Sequence, residues 1–219
     1  MRPRAVTFDA FGTLVEHGLE TIEDCAAAVS AEHGIPDGRL LEAWQRRYFA
    51  LLGGPRFYTV EEANERSLQE ATASFGVRTD LRPHLDAMVE RWAGIRPYPE
   101  TLRVLETLGD VPVAIVSNAD HALLLRVLRA GGIGIPLVFS SERSRSYKPD
   151  ARIFQEALGS LGLPAESVLH VGDSLEADVA GAAALGMRTA WVRRRGGAPP
   201  PGVRPDHVLP TLDGVLDLL

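Results

Sequence analysis

The stretch VTFDAFGTLV, residues 6–15, ends a short apolar run on an aspartate and follows it with a glycine and a threonine. The apolar residues before Asp9 predict a short buried strand, Ala5–Asp9. A carboxylate at the end of a buried strand is costly unless a partner or a ligand meets it there. The stretch therefore predicts the first strand of the fold and a functional group at its carboxyl end.

Further strands are expected in the second half of the chain, where runs rich in valine and isoleucine alternate with helical patterns. They are predicted at Val113–Ser117, Leu137–Phe139, Val168–Val171 and Thr189–Val192. Between them, Pro149–Leu161 repeats apolar residues at helical spacing. The run GGAPPPG, residues 196–202, predicts a turn before a last short strand and helix. This alternation is typical of an α/β fold with a Rossmann-like parallel sheet core and helices on both faces.

Residues 16–96 carry helical patterns, and no strand is predicted there. The helices are predicted at Leu19–His33, Arg39–Leu52, Val60–Phe75 and Leu81–Trp92. Thr59 and Glu62 have the spacing of a capping box before the third of these helices. We therefore expect an all-helical cap subdomain at residues 16–96, inserted into a core of residues 1–15 and 97–219.

The composition is ordinary for a globular protein, with 45% hydrophobic and 24% charged residues. The net charge of −6 argues against a nucleic-acid partner, since nucleic-acid binders usually carry a basic face. The basic run Arg193–Arg195 is interpreted as a solvated strand end. Cys25 stands alone, which excludes an intramolecular disulfide, and it is expected to be a buried structural thiol. Without a signal-peptide pattern or an apolar run of ~18 residues, a cytoplasmic protein with no membrane partner is expected.

Polar side chains follow the strands at four places, and ligands of open α/β sheets bind at the carboxyl ends of the strands. They are Asp9 with Thr13, Ser117 with Asn118, Lys148, and Asp173 with Asp178. Each place also has a purely structural interpretation. Ser-Asn after a strand often caps a helix, a lysine before proline can lie at the surface, and an aspartate can cap the next helix. Taken together and in this order, the four places indicate a single site.

In chain order the motifs are DxxGTL, a strand followed by SN, KPD and GDSxxxD. This order resembles the haloacid dehalogenase superfamily of hydrolases over nearly the whole chain, including a helical cap after the first motif. The resemblance implies that Asp9 is the nucleophile and that Lys148 neutralises charge on nucleophile and substrate. Ser117 and Asn118 would orient the transferred group. Thr13 would hydrogen-bond the nucleophile or the substrate, or it would stabilise the turn.

The resemblance also implies a Mg²⁺ cofactor. Its ligands would be Asp9, Asp173 and Asp178, with the backbone carbonyl of Phe11 as a further ligand. Three carboxylates that converge on one site raise each other's pKa unless a cation joins them, and Mg²⁺ prefers oxygen ligands. An aspartate nucleophile divides a displacement into formation and hydrolysis of a covalent intermediate. A small anionic molecule is the expected substrate, and the oligomeric state, monomer or homodimer, stays open.

Phe11 departs from the pattern of the phosphatases in this superfamily, which carry a second aspartate two residues after the nucleophile. That aspartate protonates the leaving group, and a positioned acid–base group contributes ~10²–10⁴ in rate. The 2-haloacid dehalogenases of the superfamily carry an aromatic residue there, since a halide leaves without a proton. They also carry a tyrosine where this chain has Phe154, have serine and asparagine in place of Asp173 and Leu175, and work without metal.

We weigh the metal site more heavily than Phe11 and expect a Mg²⁺-dependent phosphatase for small phosphate esters or anhydrides with good leaving groups. The first alternative is a 2-haloacid dehalogenase-type hydrolase, in which a cap arginine grips the substrate carboxylate. The candidates for that arginine are Arg39, Arg46 and Arg47. The second alternative is a weakly active or non-catalytic binding protein with the same fold. His17 is either a replacement proton carrier or an exposed loop histidine, and His170 is interpreted as a packed or edge residue.

Overall fold

The computed structural model describes residues 2–36, 38–194 and 202–219. These residues form two compact units: unit 1, which runs up to His17 and from Ile95 onward, and unit 2, Gly18–Gly94. Unit 1 contains the sheet, and unit 2 is built from helices. That unit 2 acts as a cap, with boundaries at residues 15/16 and 96/97, stays a prediction.

Six strands of the described residues form one parallel sheet in unit 1. They are β1 (Ala5–Phe8), β2 (Val113–Ser117), β3 (Leu137–Ser140), β4 (Val168–Gly172), β5 (Arg188–Val192) and β6 (His207–Leu209). Their order in the sheet is β3-β2-β1-β4-β5-β6. Each strand predicted with bounds is present to within one residue at either end, and the predicted α/β fold with a parallel sheet is confirmed.

Helices make up unit 2 and flank the sheet in unit 1. Those of unit 2 are α1 (Leu19–His33), α2 (Arg39–Leu52), α3 (Val60–Ala73) and α4 (Arg82–Ala93). Those of unit 1 are α5 (Thr101–Thr107), α6 (His121–Ala130), α7 (Ser141–Ser144), α8 (Ala151–Leu161) and α9 (Gly181–Ala184). The last predicted helix is a 3₁₀ helix, Leu212–Leu218. Most of the predicted GGAPPPG turn, residues 196–201, lies outside the described residues.

The predicted helix Val60–Phe75 is two residues too long. The chain reverses at Gly76, whose φ of 79° is in the left-handed region that favours glycine. The amide of Val77 then donates to the carbonyl of Thr72 at 3.1 Å and closes the helix end. At the other end, the predicted capping box between Thr59 and Glu62 is confirmed, because each side chain accepts the backbone N–H of the other residue.

Each unit has an apolar core of its own. In unit 1, Phe154 of α8 packs with Val116 of β2 and Val168 of β4 and is fully buried. In unit 2, Trp44 of α2 is 1% exposed within a cluster that includes the thiol of Cys25, so the expected buried free thiol is confirmed. Fully burying one large apolar side chain stabilises a fold by roughly 1.5–3 kcal/mol. Across the described residues, every helix is too short or too polar to cross a bilayer.

The topology brings the motif residues to one edge of the sheet. β1 lies in the middle, between β2 and β4. The chain builds outward from β1 through β2 to β3 and then crosses to β4 on the other side, so the strand order reverses between β1 and β4. Ligands of such sheets bind at the carboxyl ends next to the reversal. Asp9 follows β1 and Asp173 follows β4, which places both carboxylates at this point.

Candidate active site

The Asp9 carboxylate is buried at the carboxyl end of β1, with 6% of the residue exposed. Its Oδ1 accepts a hydrogen bond from Nζ of Lys148 at 2.7 Å and one from the hydroxyl of Ser117 at 3.2 Å. Burial raises the pKa of Asp9 above its ordinary value of 3.8, and the ammonium group of Lys148 opposes that rise. Lys148 is therefore not a surface lysine but the cation that compensates a buried carboxylate.

The ammonium group of Lys148 has three acceptors. Besides Asp9, it donates to Oδ1 of Asp178 at 2.6 Å and to the carbonyl of Val116 at 2.8 Å. Burial acts to lower the pKa of Lys148, but the charges of Asp178 and Asp9 outweigh it and raise the pKa above its ordinary value. Lys148 is thus charged at neutral pH and links two buried carboxylates.

Asp178 accepts hydrogen bonds at both oxygens. Its Oδ1 lies 3.1 Å from Nε2 of His170, and its Oδ2 accepts the amide of Ser174 at 2.9 Å. Nδ1 of His170 lies 2.8 Å from the hydroxyl of Thr7, its partner across β1 and β4. Burial acts to raise the pKa of Asp178, but Lys148 and His170 hold it well below its ordinary value. His170 is therefore a buried residue that bonds the cluster, beyond the packing role expected of it.

A π-helical turn, Leu175–Ala180, presents Asp178 to the cluster. The amide of Val179 donates to the carbonyl of Ser174 at 3.1 Å, five residues back along the chain. Such turns are rare and are frequent at functional sites. Asp178 lies over Gly172, where an added Cβ would be 2.2 Å from Cγ of Asp178. The glycine of the fourth motif therefore leaves the space that the Asp178 side chain fills.

Asp173 lies at the rim of the cluster, with 23% of its side chain exposed. Carboxylate oxygens of Asp9, Asp173 and Asp178 all lie within 4.8 Å of one another. Burial, followed by the charges of Asp9 and Asp178, raises the pKa of Asp173 to about 7. Nε2 of His17 lies 3.7 Å from Oδ2 of Asp173. The cluster thus contains three carboxylates, of which Asp9 and Asp178 are paired with the ammonium group of Lys148.

A divalent cation fits this donor set. Because both oxygens of Asp178 already accept hydrogen bonds, Asp9 and Asp173 are the carboxylates better disposed to bind a metal directly. Mg²⁺ typically takes one or two protein carboxylates and keeps several waters. Asp173 also lies against the loop that contains Phe11, since a Cβ on Gly12 would be 2.3 Å from its Oδ2. Direct binding by Asp178 and by the carbonyl of Phe11 stays a prediction.

The polar residues at the carboxyl end of β2, Ser117 and Asn118, have different contacts. The hydroxyl of Ser117 donates to Asp9, whereas the side chain of Asn118 holds the backbone of Lys148. Oδ1 of Asn118 accepts the Lys148 amide at 2.7 Å, and Nδ2 donates to the Lys148 carbonyl at 3.1 Å. Oγ1 of Thr13 is buried and has no hydrogen-bond partner among the described residues. Contacts of Asn118 and Thr13 with substrate stay predictions.

Phe154 belongs to the buried face of α8. Its ring meets the imidazole of His170 edge to face, with 5.1 Å between the ring centroids. Phe154 therefore supports His170 by packing. The arginines that were candidates for a carboxylate grip all lie on α2 of unit 2: Arg39, Arg46 and Arg47.

Sequence reasoning missed Arg194. The interpretation of the basic run as a solvated strand end is wrong for this residue, because its side chain is 14% exposed and pairs with Glu100 at 2.8 Å. Arg193 is exposed, and Arg195 lies outside the described residues. Arg194 also donates to two backbone carbonyls of the loop after Asp9. No motif could have signalled these contacts, since any residue type supplies a backbone carbonyl.

A buried aspartate held by a lysine at the strand-order reversal of a parallel sheet is the arrangement of a hydrolase with a Rossmann-like core. The chain belongs to the haloacid dehalogenase-like hydrolase family, whose model matches residues 3–186. The resemblance inferred from the four motifs is thereby confirmed.

Curated relatives and a solved structure extend this result. The (S)-2-haloacid dehalogenase of Pseudomonas fluorescens is 27% identical over 218 residues, which cover 95% of this chain and 93% of the relative. The (S)-2-haloacid dehalogenase 1 of Pseudomonas sp. strain CBS-3 is 30% identical over 202 residues, which cover 87% and 85%. The crystal structure of L-2-haloacid dehalogenase from Xanthobacter autotrophicus shares the fold, with a TM-score of 0.77 and 22% identity over 99% of this chain and 98% of that one.

The expectation of a phosphatase is wrong, because these relatives over nearly the full chain are haloacid dehalogenases. The expectation gave the acidic fourth motif more weight than Phe11. Physically, the acids are weaker support than they looked, since two of them, Asp9 and Asp178, have the ammonium group of Lys148 as a partner. Phe11 offers no proton to an alkoxide leaving group, at the place where a positioned acid contributes ~10²–10⁴ in rate.

Proposed function

We propose that this hydrolase cleaves the carbon–halogen bond of small 2-haloacids, with Asp9 as nucleophile. One observation carries the proposal: Asp9 is a buried carboxylate held by Lys148 and Ser117, and the residue two places later is Phe11. The position two residues after the nucleophile therefore holds no proton donor. A halide leaves as a stable anion and needs no proton, so this arrangement suits it. The names of the full-length relatives support the same substrate class.

In the first step a carboxylate oxygen of Asp9 attacks C2 of the haloacid. A bond forms between that oxygen and C2, and the carbon–halogen bond breaks with its electron pair on the departing halide. The hydrogen bonds from Lys148 and Ser117 fix the plane of the carboxylate before the attack, which lowers the entropy cost of reaching the reactive geometry. Attack from the side opposite the halide inverts the configuration at C2.

In the second step water attacks Cγ of the Asp9 ester. The bond between Cγ and the ester oxygen breaks, one proton of the water passes to that oxygen and the other is released, and the 2-hydroxy acid leaves with an oxygen that came from Asp9. The ammonium group of Lys148 is 2.7 Å from Oδ1 of Asp9 and stabilises the negative charge that develops there. Asp178 and His170 keep that ammonium group in place.

A small anionic substrate meets a cluster that is already negative. Asp9 and Asp173 would hold Mg²⁺, which would offset part of that negative charge. The two steps above use the chain's own residues, and the donor geometry supports metal binding independently of them. Which arginine binds the substrate carboxylate, with Arg39, Arg46 and Arg47 as candidates, belongs to the same proposal.

The test is halide release from (S)- and (R)-2-chloropropionate by wild type and Asp9→Asn, each with Mg²⁺ and with EDTA. We expect chloride from wild type and none from Asp9→Asn, which keeps the size of the side chain but is not a nucleophile. One turnover in H₂¹⁸O should put the heavy oxygen into Asp9 and not into the product. No chloride from wild type with either enantiomer, or label in the product of the first turnover, contradicts the proposal.

A further inference from the structure

Arg194 contacts the loop that follows the nucleophile at two backbone carbonyls. Its Nη2 donates to the carbonyl of Thr13 at 2.8 Å, and its Nε donates to the carbonyl of Gly12 at 3.2 Å. The third nitrogen, Nη1, donates to Oε1 of Glu100 at 2.8 Å. Arg194 lies beyond residues 3–186, the part of the chain that the family model matches. Arg194 is therefore not part of any of the four motifs.

The guanidinium group is held on its other sides as well. It stacks on the ring of Tyr98, with 3.4 Å from Cζ to the ring centroid. Side chains of Arg194 and Glu100 are 14% and 11% exposed. Oε1 of Glu100 also accepts the amide of Leu212 at 3.3 Å. A guanidinium group is planar and its N–H donors point in fixed directions, so it fixes the positions of the groups that accept from it. The ammonium group of a lysine is a rotating point charge and does not fix them in this way.

The loop after Asp9 folds around the carbonyl of Ala10, and other carbonyls of the loop lie on the outside of the turn. The amides of Thr13, Leu14 and Val15 all point at the carbonyl of Ala10, at 3.3, 2.9 and 3.0 Å. The carbonyls on the outside of this turn need partners from elsewhere. Arg194 supplies them for Gly12 and Thr13, and the hydroxyl of Thr101 supplies one for Leu14 at 2.7 Å. The turn is thus fixed from within by Ala10 and from outside by these side chains.

We propose that Arg194, with Glu100 and Tyr98, forms a loop clamp that positions the nucleophile loop for the displacement at Asp9. The clamp acts through the backbone of Gly12 and Thr13, so Arg194 is a positioning residue and does not touch substrate. The kinetic part of this inference rests on the proposed function. Movement of the loop shifts Asp9 relative to Lys148, and a displacement of about 1 Å costs on the order of 10²-fold in rate.

The test compares Arg194→Ala with Arg193→Ala, an exposed arginine one residue away. For Arg194→Ala we expect kcat for halide release to fall about 10²-fold with little change in KM, because the nucleophile is misplaced and not the binding site. Arg193→Ala should keep the wild-type kcat. Methylguanidinium should restore part of kcat to Arg194→Ala, since a cavity of about 180 Å³ beside Gly12 and Tyr98 leaves access to the vacated position.

Hydrogen exchange followed by mass spectrometry gives a readout that needs no substrate. The peptide covering residues 9–15 should exchange faster in Arg194→Ala than in wild type and Arg193→Ala. Wild-type exchange in this peptide, or unchanged kcat in a folded Arg194→Ala protein, overturns the proposal. If Arg194→Ala does not fold, Arg194→Lys and Glu100→Gln are measured instead. Unchanged exchange in both of these variants overturns the proposal equally. Absence of halide release by wild type refutes the proposed function, while the exchange result still decides the clamp.

Discussion

Asp173 brings a third carboxylate to a cluster whose ammonium group, on Lys148, is already shared by Asp9 and Asp178. Its pKa is raised to about 7 by burial and by those two carboxylates, with Lys148 opposing the shift. The folded state therefore holds the Asp173 proton more tightly than the unfolded chain, whose carboxyl titrates near the ordinary value of 3.8. Ionisation of Asp173 costs stability as the pH rises between about 4 and 7.

Asp173→Asn should relieve that cost. We expect the variant to have a higher Tm than wild type at pH 8, with the difference shrinking as the pH falls to 4, because there the folded-state carboxyl of wild type is protonated and carries no charge. Thermal unfolding by circular dichroism in EDTA at pH 4, 6 and 8 measures it. A Tm difference independent of pH, or a lower Tm of the variant at pH 8, contradicts the assignment.

The same pair of proteins tests whether the cluster holds a cation. At pH 8, Mg²⁺ should raise the Tm of wild type with its concentration, since a ligand that binds the folded state stabilises by RT ln(1 + [L]/Kd). Asp173→Asn should show a much smaller rise, having lost one of the two carboxylates disposed to bind directly. Equal responses of the two proteins would mean that Mg²⁺ binds elsewhere or not at all.

At the scale of elements, the π-helical turn Leu175–Ala180 packs against the end of β4 because Gly172 has no side chain. Gly172→Ala would put a Cβ 2.2 Å from Cγ of Asp178, which is within the carboxylate's own volume. Asp178 then has to move, and its bonds to Lys148 and His170 lengthen. We expect a lower Tm and loss of halide release, both measured on the purified variant.

Gly159→Ala is the matched control, because nothing lies within 4 Å of a Cβ at that position on α8. Alanine is favoured over glycine in a helix by up to ~1 kcal/mol, so this variant should gain stability and keep full activity. Equal effects of the two substitutions would show that the space over Gly172 has no special importance.

The elements were predictable, and most of the contacts between them were not. Apolar runs and helical spacing located the strands to within one residue, because burial on a covered sheet imposes that pattern locally. The order of the motifs located Asp9, Lys148 and Asp178 in one cluster, because the carboxyl ends of parallel strands share an edge. The contacts of Arg194 and His170 were not predicted. Arg194 donates to the backbone carbonyl of Thr13, 181 residues away in the sequence, and His170 contacts the side chain of Asp178, eight residues away. The phosphatase expectation was wrong because it gave the acidic fourth motif more weight than Phe11 in the first motif.

At the scale of the whole molecule, the two compact units have separate apolar cores. Trp44 of unit 2 belongs to a core cluster with residues of α1, α3 and α4, and all members of that cluster lie within unit 2. Phe154 of unit 1 packs within a cluster of the sheet, α8 and their neighbours. A core of this kind stabilises the elements that build it, so local unfolding is expected to follow the unit boundaries.

Trp44→Ala tests this division. Truncating a buried tryptophan costs about 3–5 kcal/mol, through lost burial and the cavity left behind. We expect hydrogen exchange to rise across Gly18–Gly94, with the peptides of β1 and β4 keeping their wild-type protection. Trp44→Phe is the control: it retains most of the apolar volume and removes an indole N–H that has no hydrogen-bond partner among the described residues, so exchange should change little. A uniform rise of exchange through β1 and β4 in Trp44→Ala would instead mean that the two cores unfold as one cooperative unit.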